Sequence, residues 1–278
     1  MVVKFSRLAR ERHCKVDGLF HTIRDAQAQV SDCRAMPAAL IIAAMAAGDI
    51  LQDQIDYYRA RSGEYDEWWF RSGRYDRGPL FNARWRAEVA TVEVALDAWL
   101  TTRRPTTLLE LACGTGLFTR HLAPRVPRIT AVDASPEVLA LNRGRVAAPN
   151  VAYVQADVFS WRPPERFDAV FFSFWLSHVP DSRFEAFWDE VAAALAPGGA
   201  VYLIDSAFDP SSTAKDHVLP SPESGIVTRK LNDGREFRIV KRFWEPQALA
   251  ARLGDLGWRA TIVQTPSYFI HGLVQPAV

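Results

Sequence analysis

The sequence predicts an α/β protein built on a doubly wound, mainly parallel sheet. Three observations predict it. Residues 107–123 read Thr-Leu-Leu-Glu-Leu-Ala-Cys-Gly-Thr-Gly-Leu-Phe-Thr-Arg-His-Leu-Ala: a short apolar run, a turn with glycines at 114 and 116, then helical spacing at Leu117, His121 and Leu122. Apolar strand-like runs and amphipathic helical stretches then alternate as far as residue 205, which calls for parallel strands joined by right-handed crossovers. Past that point the alternation pauses at Asn232-Asp233-Gly234, a hairpin signal, before one more helix and two closing strands.

The elements follow in order. Residues 1–44 carry seven Lys/Arg against four acids in their first 34 positions and show no sustained period, so a poorly ordered extension is expected. The well-patterned chain starts just after Met45, which raises a misassigned start codon; N-terminal mass spectrometry of the native protein decides that question. Residues 45–104 read as an N-terminal helical arm. Asp49 is a good cap for a helix bearing Ile50, Leu51, Ile55 and Tyr58, the stretch 56–79 mixes aromatic and charged residues with glycines, and Trp85, Val89, Val92, Leu96 and Trp99 step by 4, 3, 4 and 3 along a long amphipathic helix.

The core is expected over 105–278. Its strands are 107–111, Arg128–Asp133, Val151–Ala156, Asp168–Phe174 and Ala200–Asp205. A helix opens at Pro136 behind a Ser135 cap, and another carries Phe184, Phe187, Trp188, Val191 and Leu195 as far as Pro197-Gly198-Gly199. An insertion spans 206–243: a polar loop, then strands Ile226–Leu231 and Arg235–Phe243. Leu249, Leu253 and Leu256 mark a last helix ending at Gly257, with Arg259–Gln264 and Tyr268–Gly272 closing the sheet.

Composition narrows the function. The 278-residue chain is 49% hydrophobic and 23% charged with a formal net charge of +1, which argues against nucleic acid as a partner, because phosphate neutralisation needs a basic face. Three cysteines without paired spacing fit a reducing compartment, and the absence of metal-ligand spacing means no metal is expected. The apolar run 35–48 holds Pro37 and is shorter than the ~20 residues of a membrane span. A cytoplasmic protein without a membrane partner is expected, monomeric or homodimeric.

Glu110 separates two readings of the glycine turn. A dinucleotide site puts pyrophosphate at such a turn. A carboxylate just before it repels phosphate and attracts a cation. The stretch Glu110-x-Ala112-x-Gly114-x-Gly116 resembles motif I of the class I S-adenosylmethionine-dependent methyltransferases, whose cofactor carries an α-ammonium and a sulfonium; Ala112 stands where the family pattern has a first glycine. Together with Asp133, Asp157 and the Pro-Gly-Gly turn, the resemblance covers most of residues 50–272. It implies a Rossmann-like sheet of order 3-2-1-4-5-7-6 with strand 7 antiparallel, S-adenosyl-L-methionine as cofactor, and methyl transfer to a small-molecule nucleophile (O, N, S or C). An NAD(P)-dependent oxidoreductase and a non-catalytic S-adenosylmethionine-binding regulator are the rival readings.

The candidate site residues follow from strand ends. For the cofactor they are Tyr58, Glu110, Ala112, Gly114, Gly116, Asp133, Ala134, Asp157, Val158 and Phe174. Asp133 suits the ribose hydroxyls or, alternatively, a helix cap. The resemblance implies adenine contacts for Asp157 and the Val158 N–H, against a plain surface-loop role. Phe174 ends strand 4, where the methionine part of the cofactor is expected. His178 is a general-base candidate or a packing histidine. Tyr57, Trp68, Trp69, Trp175 and His178 are candidate acceptor-side residues, with aromatic faces attracting a sulfonium by roughly 0.5–2 kcal/mol; ordinary core packing is the other role open to Trp68 and Trp69.

Overall fold

The computed structural model describes residues 50–217, 219 and 225–277; the extension expected at 1–44 lies outside them. The arm comprises helix α1 over 50–60, the short α2 (Asp66–Phe70) and the long α3 (Pro79–Arg103). The sheet strands are β1 (Thr107–Leu111), β2 (Arg128–Asp133), β3 (Val151–Gln155), β4 (Phe167–Ser173), β5 (Leu195–Ser206), β8 (Trp258–Gln264) and β9 (Phe269–Pro276). Between β5 and β8 lies a separate hairpin, β6 (Ile226–Lys230) and β7 (Glu236–Val240). Helices α4 (Thr119–Leu122), α5 (Pro136–Val146), α6 (Phe184–Ala194) and α7 (Pro246–Asp255) connect the strands.

The seven strands lie in the order β3-β2-β1-β4-β5-β9-β8. β1 pairs in parallel with β2 and β4, β3 with β2, and β5 with β4, while β9 runs antiparallel to β5 and β8. With the hairpin left out of the count this is the expected 3-2-1-4-5-7-6 order with an antiparallel strand 7. The central strands are mostly apolar because both faces are covered. Successive side chains point to opposite faces: Leu109 and Phe172 pack with Phe184, Trp188, Leu249 and Leu253 of α6 and α7, whereas Leu108 and Phe171 pack with Val92 and Leu96 of α3 and Leu139 of α5. Trp99 of α3 stacks on Tyr202 of β5 with ring centroids 5.0 Å apart.

Among the boundaries that differ from expectation, two do so for local reasons. β5 begins at Leu195 instead of Ala200, because Leu195 already pairs with Phe167 before a register shift carries the chain past Pro197-Gly198-Gly199. α5 continues to Val146, past Asn142, and closes with Ala147 in the left-handed region. Among the described residues no helix is long and apolar enough to cross a membrane.

Candidate functional site

The carboxyl ends of β1 to β4 open onto a cleft of about 850 Å³. β1 brings Ala112, Gly114 and Thr115; β2 brings Asp133, Ala134 and Ser135; β3 brings Asp157 and Val158; β4 brings Phe174, Trp175 and His178. The arm contributes Leu51, Gln54, Tyr58 and Tyr65. Of the cofactor candidates, eight therefore meet in one cleft, all except Glu110 and Gly116.

The two glycines of the turn have different tasks. Gly114 has φ +56°, and a Cβ built there meets nothing within 4 Å, so space is left beside the turn for a ligand. Gly116 has φ +88°, and a Cβ there would stand 2.7 Å from Asn142 Oδ1, so its missing side chain lets α5 approach the turn. Asn142 is fully buried and fastens the turn: its amide nitrogen donates to the Gly114 carbonyl at 3.1 Å and to Thr119 Oγ1 at 2.9 Å. Thr115 is held from two sides. Its hydroxyl donates to Asp66 of α2 at 2.7 Å and accepts from Arg145 of α5 at 2.9 Å, and Arg145 also pairs with Asp66.

Glu110 lies beneath this turn, 1% exposed, accepting from Thr119 Oγ1 at 2.7 Å. Burial pushes its carboxyl up to about 8, so it does not present a charge to the cleft as the sequence suggests. Its backbone is central in the sheet, which directs the side chain into the packed layer under the loop. Asp133 does reach the cleft. One oxygen accepts from Gly114 N and the other from Ser135 N, each at 3.0 Å, and burial raises its pKa. The cap of α5 is Ser135, whose hydroxyl accepts from Val138 N at 3.2 Å, so Asp133 is not the cap. Asp157 accepts from Phe159 N at 3.0 Å in a tight turn beside the cleft.

β4 leaves the sheet at Phe174, a non-glycine residue at φ +53° whose N–H still donates to Ile204 O at 2.8 Å. Such left-handed residues persist where the surroundings hold them; here Trp68 packs edge-on with its ring centroid 4.7 Å away. His178 is buried. The Val240 carbonyl lies 2.6 Å from Nδ1 and can only accept, so Nδ1 carries the proton, and Nε2 accepts from Tyr58 Oη at 2.8 Å. Burial, and then the Lys241 charge, hold its pKa well below the usual histidine value. The ring is neutral, and its one basic nitrogen is held by the Tyr58 hydroxyl.

A second cavity of about 550 Å³ adjoins the cleft and shares Tyr58, Tyr65, Phe174 and His178 with it. Arg61, Trp68 and Tyr75 of the arm line it, facing Ser212, Arg229 and Lys241 from the 206–243 segment. Of the acceptor-side candidates, Trp68 and His178 line this cavity, and Trp175 and His178 line the cleft. Tyr57 and Trp69 line neither. Adjacent helical residues point about 100° apart, so Tyr58 faces the cavities while Tyr57 packs on Phe237 of the hairpin; Trp69 turns into the core, its carbonyl accepting from Trp85 Nε1 at 3.0 Å.

Sequence reasoning missed Arg61, Tyr65, Tyr75, Arg229 and Lys241 at the second cavity, and Gln54 in the cleft. One signal was present. Val227 and Arg229 alternate on one face of β6, and both are buried. An arginine in register with the apolar face of a hairpin marks an inward cation.

Comparison with known proteins accords with this architecture. Residues 108–199 match the family described as a methyltransferase domain. A trans-aconitate 2-methyltransferase of Escherichia coli O1:K1 is 32% identical over 140 residues, which is 49% of this chain and 54% of that protein; the chain thus spans about half the length of the curated relatives it matches. The solved N-methyltransferase NodS from Bradyrhizobium japonicum WM9, in complex with S-adenosyl-L-homocysteine, shares the fold at 18% identity with a TM-score of 0.56, over 81% of this chain and 98% of its own. A solved complex of DhpI with SAH is 37% identical with a TM-score of 0.66, over 83% of this chain and 98% of DhpI. At that identity and coverage, the chain belongs to the class I S-adenosylmethionine-dependent methyltransferases.

Proposed function

We propose that the protein transfers a methyl group from S-adenosylmethionine to an oxygen, nitrogen, sulfur or carbon nucleophile of a small molecule in the cytoplasm, acting as a monomer or homodimer. The observation that carries this reading is the cleft itself. Gly114 leaves open space at the turn, and Asp133 and Asp157 stand at successive strand ends around the same cleft. The residues fit the cofactor: Asp133 for the ribose hydroxyls, Asp157 and the Val158 N–H for adenine, and Tyr58, Tyr65 and Phe174 around the end nearest the second cavity. The bound cofactor supplies an activated methyl on a positively charged sulfur. The chain's own residues then position the acceptor and exclude water. His178 is neutral and fixed by Val240 and Tyr58, which favours a positioning role over proton removal.

Calorimetry with S-adenosylmethionine, S-adenosylhomocysteine and NAD tests the reading. The first two should bind and NAD should not; tighter binding of NAD would favour an oxidoreductase. Labelled methyl transfer across metabolites of the native host should give a labelled product. Cofactor binding with no acceptor at all would favour a regulator.

A further inference from the structure

We propose that the methyl acceptor is a small oxyanion, a molecule bearing a carboxylate or phosphoryl group, held in the second cavity by Arg61, Arg229 and Lys241. This names the acceptor class for the methyltransferase reading above and rests on it. The three cations are 9%, 8% and 8% exposed, and among the described residues no Asp or Glu lines the cavity with them. Arg61 is faced by the rings of Tyr57, Tyr65 and Tyr75, with 4.9 Å from its guanidinium carbon to the Tyr65 centroid, and donates to Tyr75 Oη at 3.0 Å. Arg229 donates to Thr213 Oγ1 at 3.1 Å. Lys241 donates to Ser177 Oγ at 2.9 Å and Ser206 Oγ at 3.2 Å, and among the described residues Asp205 is the one carboxylate paired with it, at 3.9 Å.

Among the described residues, three buried cations thus face one carboxylate. Both arginines keep their charge at any ordinary pH, and buried charge without a partner is costly. An incoming oxyanion supplies the missing partner. The arginine forks suit carboxylate or phosphoryl oxygens with two parallel hydrogen bonds, and Ser206, Ser212 and Thr213 line the same cavity with further hydroxyls. The place is right for an acceptor. The cavity adjoins the cofactor cleft at Tyr58, Tyr65, Phe174 and His178, so a molecule anchored on the cations reaches the methyl only past that shared wall.

The test is calorimetry on the full chain preloaded with S-adenosylhomocysteine, titrated with inorganic phosphate and with citrate, for the wild type, Arg229→Gln and Lys241→Gln. Saturable binding of either anion to the wild type is expected, weakened about tenfold or more in both variants, while S-adenosylhomocysteine affinity stays within about threefold of the wild type. The anion that binds more tightly tells phosphoryl from carboxylate. No binding of either anion to the wild type overturns the proposal without the need for any variant to fold, and so does unchanged binding in both folded variants. Anion binding by a protein that does not take S-adenosylhomocysteine would overturn the methyltransferase reading instead and leave the anion site standing.

Discussion

The two cavities that meet at Tyr58, Tyr65, Phe174 and His178 are built from different material. Most of the cleft is made of strand ends, set by β1 to β4 lying side by side, and the arm closes it with Leu51, Gln54, Tyr58 and Tyr65. The second cavity is made of appendages. Arg61, Trp68 and Tyr75 come from the arm, and Ser212, Thr213, Arg229 and Lys241 come from the segment between β5 and α7. The difference teaches that the sheet sets most of the cleft, with the arm closing one side, whereas the second cavity depends mainly on segments outside the sheet.

The most severe way to break that comparison is to remove the arm. Deleting residues 1–70 should abolish methyl transfer, measured with labelled cofactor, since Tyr58, Arg61, Tyr65 and Trp68 go with it; deleting 1–44 should leave activity intact. An active protein without Tyr57 to Phe70 would show that the acceptor end does not need the arm. Next in size is Gly116→Ala. The left-handed φ costs about 1–2 kcal/mol and overpacking against Asn142 about 1–3 kcal/mol more, so chemical denaturation should show a loss of roughly 2–5 kcal/mol. Gly114→Ala, with open space around it, should lose only the backbone cost. Equal losses at the two positions would mean that α5 gives way easily.

Asp133→Ala acts on the cleft alone. Losing hydrogen bonds to a charged group should weaken S-adenosylmethionine binding by about 1.5–3 kcal/mol, with anion affinity at the second cavity unchanged. An unaltered dissociation constant would reduce Asp133 to a brace for Gly114 and Ser135. The smallest effect is expected from His178→Ala, at the shared wall. Turnover should fall less than about tenfold with cofactor affinity kept; a fall of about 100-fold or more would assign proton removal to the Tyr58–His178 pair.

The sheet was legible because its signals are local and redundant: glycines after an apolar run, β-branched strands, capped helices, and the Asn-Asp-Gly turn. The cleft residues were legible because they sit at strand ends, where topology fixes the neighbourhood. Glu110 shows the limit of that rule. It pointed to the right family, yet its side chain lies under the turn bonded to Thr119. Tyr57 and Tyr58 show another limit, since which of two adjacent tyrosines faces a cavity depends on the rotation of α1 against the hairpin. Arg61, Arg229 and Lys241 come together only through contacts spanning about 180 positions of sequence, and no local pattern records such contacts.

The hold on Thr115 carries a thermodynamic consequence. Its hydroxyl joins Asp66 of α2 to Arg145 of α5, so docking of the arm and ordering of the glycine turn share one set of hydrogen bonds. Coupling of that kind is reciprocal. Whatever ligand steadies the turn must steady the arm by the same free energy, and an arm clamped by an acceptor must tighten the turn's grip in return. The amides of α2 should therefore exchange with solvent more slowly once the cleft is filled.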